Sequence, residues 1–195
     1  MSNYGLYLSE VRADYARAQK VYERALKVDP AHANTCYNYA VMLDAGLKDV
    51  PRAVDMYERA IASKPSHAFA LYNLAVLNEE KLKDLGRAGD LYRAAVHAGP
   101  TDVLAVSDLG RFLAQRGLAD GDAAKTAEGE ALLKKALGMD ARCATAHAAL
   151  GELRLMGGDA QAARAHHQKA LAADPNGSAV RRLTELVARA KQAGK

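Results

Sequence analysis

The chain has 195 residues, half of them apolar and about a quarter charged, with nine Tyr, two Phe and no Trp. That is enough apolar material for one or two packed domains, but no run reaches the ~20 apolar residues that a helix needs to cross a bilayer. The formal charge of +4 is confined to one end: residues 1–177 carry 22 basic and 22 acidic residues, and residues 178–195 carry five basic and one acidic. A neutral body argues against a nucleic-acid-binding face on it.

The opening MSNYGLYLSE has no basic stretch leading into an apolar core, so it does not read as a secretory signal. Cys36 and Cys143 lie far apart with no CxxC spacing, which argues against a disulfide framework or a zinc site and suggests small reduced thiols. The expected compartment is cytoplasmic.

The elements, taken in chain order, repeat. Asn38, Ala40, Asp49, Arg52, Ala53, Tyr57 and Pro65 recur 35 residues later as Asn73, Ala75, Asp84, Arg87, Ala88, Tyr92 and Pro100. Self-similarity at this period marks an array of helical hairpins, each too small to bury its apolar face alone. The repeat is read as five copies, 1–30, 31–65, 66–100, 101–141 and 142–175, followed by a basic capping helix over 178–195. Small residues at Gly5, Ala40, Ala75, Gly110 and Gly151 would let the first helix of each pair approach its partner. Ala18, Ala53, Ala88, Gly129 and Ala163 would do the same from the second helix, and Ala25, Ala60, Ala95, Ala136 and Ala170 would make another tight contact. Tyr22, Tyr57, Tyr92 and Leu133 would fill the space between neighbouring copies.

The turns carry signals too. Asp14, Asp49, Asp84 and Asp159 each stand four residues before the small residue of a second helix, where a carboxylate can cap the helix N-terminus. The spacing of 35 places one extra residue in the inter-helix turn of the first three copies. The fourth copy is longer, and RGLADGDAAKTAEG (116–129) predicts an extended loop. Asp120 and Asp122 within it do not make a cation ligand set. Met1 already stands at repeat position 4, so the first helix is expected to lack its opening turn. At the other end Val180, Leu183, Val187 and Ala190 form one apolar stripe, with Arg181, Arg182, Glu185 and Arg189 off it.

The recurring pattern Cys36-x2-Tyr39-Ala40-x2-Leu43…Ala53-x3-Tyr57…Pro65 resembles the tetratricopeptide repeat, and the resemblance covers about residues 1–177. It implies an all-α fold, a right-handed α-solenoid of stacked helix-turn-helix units, and a non-enzymatic protein-interaction scaffold. The expected partner is a peptide or helix of another protein, held in the concave groove lined by the first helices. No cofactor, metal or membrane contact is expected.

No P-loop, GxSxG, HExxH or dinucleotide-binding fingerprint occurs. His32 and His67 are 35 apart and each follows a Pro by two positions, which suggests a structural role at a helix start. His166 and His167 are adjacent and would point apart on a helix, against shared metal ligation. The informative set is Asn3, Asn38, Asn73 and Asp108, each 35 residues apart. In peptide receptors of the resembled family an Asn at this position hydrogen-bonds a bound peptide backbone. An amide suits that task because it offers both donor and acceptor. The same Asn can also bond within the array. Tyr37, Tyr72 and Phe69 would add amphipathic contact area beside the ladder, with Val41, Val76 and Arg111 on the next turn.

The family's carboxylate clamp for acidic chaperone tails is not expected. Its aligned positions are Ser2, Leu6, Asn38, Phe69 and Asn73, and they supply no cation. An alternative reading comes from ARAQKVYERAL and PRAVDMYERAI, which are similar to the second helix of HAT repeats and would imply an RNA-processing complex. The first helices lack the Trp and Glu of that pattern. End-to-end self-association through Tyr4, Tyr7 and Leu8 is a further expectation.

Overall fold

A computed structural model describes residues 2–193, and all the regular structure among them is helical. Met1, assigned above to repeat position 4, and Gly194 and Lys195, at the end of the expected capping segment, lie outside the described residues. The chain forms two compact units, Met1–Ala98 and Gly99–Lys195. Each is a stack of antiparallel helical hairpins, the architecture of an α-solenoid.

The first unit holds α1 (Ser2–Leu6), α2 (Tyr15–Val28), α3 (Ala33–Val41), α4 (Val50–Ser63), α5 (Ala68–Leu77) and α6 (Leu85–Ala98). Side chains start these helices. The carboxylates of Asp14, Asp49 and Asp84 accept the N–H groups of Arg17, Arg52 and Arg87 at 3.1, 3.2 and 3.0 Å. His32 and His67 cap α3 and α5 instead, through Nδ1 to Thr35 N and Ala70 N, both at 3.2 Å. Each bond satisfies one of the orphan donors of a helix N-terminus.

The extra residue of the 35-residue spacing is not in the turn, as the sequence suggested. It lies inside the first helices, which finish in π-helical turns at Tyr7–Val11, Met42–Gly46 and Asn78–Leu82. A residue with positive φ follows each: Ala13 at 51°, Lys48 at 58° and Lys83 at 60°. The closing bonds Asp14 N→Leu8 O and Asp49 N→Leu43 O, each 2.8 Å, span one residue more than a Schellman closure. Widening the last turn keeps the second helix in register, whereas a longer loop would expose more backbone.

The second unit holds α7 (Val103–Asp120), α8 (Ala123–Met139), α9 (Ala144–Met156), α10 (Ala160–Ala173) and α11 (Ser178–Ala193). The loop expected over 116–129 is a correction. Only Gly121 and Asp122 are non-helical there, and the added residues lengthen α7 and α8 to 18 and 17 residues. Gly121, at φ 69°, ends α7, Asp122 N closes onto Gly117 O at 2.8 Å, and the Asp122 carboxylate accepts Lys125 N at 2.9 Å. Good helix formers on both sides, Ala119, Ala123, Ala124 and Ala127 among them, let one tight turn replace a loop.

The small residues lie at the crossings. Ala18, Ala53, Ala60, Ala88, Ala95, Ala136, Ala163 and Ala170 are fully buried, with Tyr22, Tyr57, Tyr92 and Leu133 beside them. A Cβ on Gly5 would stand 2.6 Å from the Tyr22 ring, and one on Gly151 2.6 Å from Leu183. Tyr22 stacks on Tyr39 of the next hairpin with ring centroids 5.4 Å apart. Ala25 departs from the pattern: it is only half-buried and lines an open pocket with Ser2, Asn3 and His32. On α11, Val180, Leu183 and Val187 are buried against α9 and α10, but Ala190 is exposed and lies off the packed stripe. Leu8, assigned above to an exposed end patch, is 4% exposed and belongs to the core. Tyr4 and Tyr7 remain open.

Candidate peptide-binding face

Asn38 and Asn73 sit half-buried on α3 and α5, one hairpin apart. The Asn38 amide donates to Ser2 Oγ at 3.3 Å, and the Asn73 amide makes a long 3.5 Å contact to the Tyr37 hydroxyl. Both donations run laterally to the preceding first helix. The Asn73 amide also reaches the Tyr57 hydroxyl, so its donors are directed into the array, whereas no second hydrogen bond of the Asn38 side chain occurs among the described residues. Asn3 is exposed and borders an open pocket of about 300 Å³ with Ala25, Asp29 and His32.

The aromatic residues divide. Tyr37 and Phe69 come together with centroids 6.3 Å apart, and Tyr57 and His67 back Tyr37 at 6.2 and 5.0 Å. Phe69 is 60% exposed, the open member of this cluster. Tyr72 instead packs edge-on against Tyr92 at 6.1 Å, the same relation as Tyr37 to Tyr57 one repeat earlier. Burial pushes the Tyr37 and Tyr57 phenols above their ordinary range, so both stay neutral and able to donate and accept. Val41 and Val76 are half-buried beside them.

In the second unit the corresponding positions are charged. Asp108 and Arg111, both half-buried, pair with each other at 3.2 Å. Arg111 also donates to Gln115 at 3.2 Å, Gln115 donates to Glu152 at 3.1 Å, and Arg182 meets Glu152 at 3.2 Å. This chain of polar side chains ties α7 through α9 to α11. Glu152 is 5% exposed; burial raises its carboxyl, while Arg182, Gln115 and Arg111 oppose that rise. The residues missed from sequence are Gln115, Glu152 and Arg182. Glu152 stands 41 residues after Arg111, the repeat interval of the long copy, so the phase of Val41, Val76 and Arg111 marks its position.

Elsewhere the polar residues serve the array. Asp120 pairs with Arg116 at 2.8 Å and Lys125 at 3.0 Å. Cys36 and Cys143 are buried and unpaired, and burial pushes the Cys36 thiol up. His147 and His166, from α9 and α10, bring their Nδ1 atoms within 3.1 Å, a pair that sequence spacing did not suggest. His147 Nε2 lies 3.1 Å from the Ala141 carbonyl, which can only accept, so Nε2 carries a proton and Nδ1 accepts from His166. Among the described residues no group of three His, Cys, Asp or Glu could hold a metal ion, and no helix is long and apolar enough to cross a membrane.

Comparison with known proteins places this geometry. The family model described as tetratricopeptide repeat matches residues 43–103 and 114–178. No curated protein sequence matches the chain. Among solved structures the fold is similar to YrrB, described as a TPR protein with an unusual peptide-binding site, at 22% identity and TM-score 0.70, covering 94% of this chain and 90% of that one. It is also similar to PilW, a type IV pilus biogenesis factor, at 20% identity and TM-score 0.73, covering 97% and 87%. MamA from Desulfovibrio magneticus RS-1 gives 22% identity and TM-score 0.69, covering 89% and 93%. At these identities the likeness is one of fold. With the family model matched over well over half its length, the chain belongs to the tetratricopeptide-repeat family.

Proposed function

We propose that the chain is a non-enzymatic scaffold whose first-helix face binds an extended peptide of a partner protein, with Asn38 and Asn73 as the central backbone contacts. The observation that carries this reading is the pair of half-buried amides one repeat apart, whose hydrogen bonds among the described residues engage their N–H groups and leave the two carbonyl oxygens without a partner. A peptide unit needs one donor and one acceptor, and each amide offers both. Phe69 and Tyr37 supply apolar contact beside them, with Tyr72, Val41 and Val76 flanking, and Asn3 extends the row toward the N-terminus. Asp108 and Arg111, at the same repeat positions in the second unit, are proposed as contacts on that unit's own first-helix face, where they pair with each other at 3.2 Å. The five-copy division with a capping helix at 178–195 belongs to the same reading, as does a cytoplasmic location. A peptide-binding site in a structural relative, YrrB, supports the class of ligand.

The test is selection of a binding peptide from a random display library on the full chain, followed by calorimetry on Asn38→Ala/Asn73→Ala. Two hydrogen bonds of about 1 kcal/mol each correspond to roughly a 30-fold loss of affinity. N-methylation of the peptide backbone should reproduce part of that loss. Unchanged affinity in the double variant would show that the amides serve only the array.

A further inference from the structure

The repeat lets one seam be compared with its own counterpart. Where α2 turns into α3, the Pro30 carbonyl accepts from Arg59 Nη2 at 3.1 Å and faces Cys36 Sγ at 3.9 Å. Arg59 thus reaches across that seam from α4, with Asp55 4.0 Å from its guanidinium, and both line a pocket of about 400 Å³ that also carries Glu23. Where α8 turns into α9, the register places Ala141 at Pro30, His147 at Cys36, Lys169 at Arg59 and Ala165 at Asp55. His147 Nε2 now meets the Ala141 carbonyl at 3.1 Å, so that carbonyl has its partner without Lys169. The seam stays open as a pocket of about 550 Å³, with Leu137, Ala172 and Ala173 as apolar walls and Arg142 and Lys169 as the cations.

The charge at this pocket is one-sided. None of its lining residues is acidic. The two carboxylates adjacent to the lining in sequence, Asp140 and Asp174, accept the backbone N–H groups of Arg142 and Asn176 at 2.9 and 3.1 Å. Glu23, on the rim of the first-unit seam, is replaced in register by Lys134, which pairs with Glu130 at 2.8 Å. The site is an open groove rather than an enclosed cavity, with Ala141, Arg142, Lys169 and Ala172 exposed along it, so a ligand would lie along the apolar floor with its head at the two cations.

We propose that this pocket binds a small aliphatic carboxylate, its chain against Leu137, Ala172 and Ala173 and its head between Lys169 and Arg142. The site is independent of the peptide face. It would give the scaffold a small-molecule input at the α8–α9 turn. A neutral molecule of the same shape gains nothing from the two cations, and added salt weakens the charged one.

The experiment titrates octanoate into the full chain, followed by calorimetry and by amide chemical shifts. Expected are saturable binding, shifts centred on Leu137–His147 and Lys169–Ala173, and affinity at least tenfold above that of octan-1-ol. Lys169→Gln and Arg142→Gln should each weaken octanoate three- to tenfold. Ala173→Leu, at the pocket wall, should abolish binding while leaving the circular dichroism spectrum unchanged. Equal affinity for octanol and octanoate, shifts scattered over other seams, or full binding by Ala173→Leu would each overturn the proposal. So would the absence of saturation at millimolar octanoate.

Discussion

Gly129 of α8 lies directly against the backbone of Ala114 in α7. A Cβ built on it would overlap the Ala114 nitrogen and stand 2.6 Å from Gly110 O and 2.9 Å from Ala114 Cα. These obstacles are main chain within helices and cannot rotate away. Gly129→Ala should therefore destabilise the second unit by about 1–3 kcal/mol. Gly138, on the same helix, has nothing within 4 Å of a built Cβ, so Gly138→Ala should stabilise by about 0.5–1 kcal/mol. Urea denaturation of the two variants checks both signs.

Asn78 is 1% exposed at the start of the third π turn. Its amide donates to the Leu74 carbonyl at 2.7 Å, but its own Oδ1 has no partner. The register equivalents in the first, second and fourth copies are Leu8, Leu43 and Leu113, all buried, while the fifth copy has Arg154. Removing an unsatisfied polar atom in favour of the leucine found in three other copies should raise stability, so Asn78→Leu is expected to gain about 1 kcal/mol. A midpoint at lower urea concentration than the parent chain would contradict this.

Burial lowers the affinity of His67, His147, His166 and His167 for protons, with Lys169 and the partner histidine adding to the effect at His166. Unfolded histidines take up protons below about pH 6.5. The folded ones resist, so the unfolded state binds more protons and stability falls as pH drops through that range. Glu152, with its carboxyl raised by burial, acts in the opposite direction. His166→Gln should therefore be read against the parent chain: its stability should fall less between pH 7.5 and 5.5. The comparison needs denaturation curves at several pH values.

Tyr4 of α1 and Tyr7, which opens the π turn after it, are 56% and 47% exposed. Their register equivalents Tyr39 and Met42 are buried in the first unit's core cluster. If this end drives self-association, light scattering over a dilution series should show a concentration-dependent mass that Tyr4→Ser/Tyr7→Ser returns to that of a monomer. A constant monomer mass in the parent chain would dismiss the contact.

Much of the fold was legible in the sequence, because the period is written in residue size. Ala53, Ala88 and Ala163 mark helix crossings where a larger side chain cannot fit, and Asp14, Asp49 and Asp159 mark helix starts by their capping chemistry. Those are local rules, and they need no knowledge of what lies across the chain. Where an extra residue goes is different. Whether it widens a helical turn at Tyr7–Val11, or lengthens two helices around Gly121, depends on keeping the packed faces in register. Composition read the second case as a loop.

The site shows the same division. The 35-residue phase alone aligned Asn38 with Asn73 and placed Tyr37 beside them. Only the tertiary structure decided which of their polar atoms are used up within the array, that Asp108 and Arg111 neutralise each other, and that His147 meets His166 across a helix pair. Such pairings join residues from different helices. They depend on side-chain reach and competing partners in three dimensions, and a one-dimensional period carries neither.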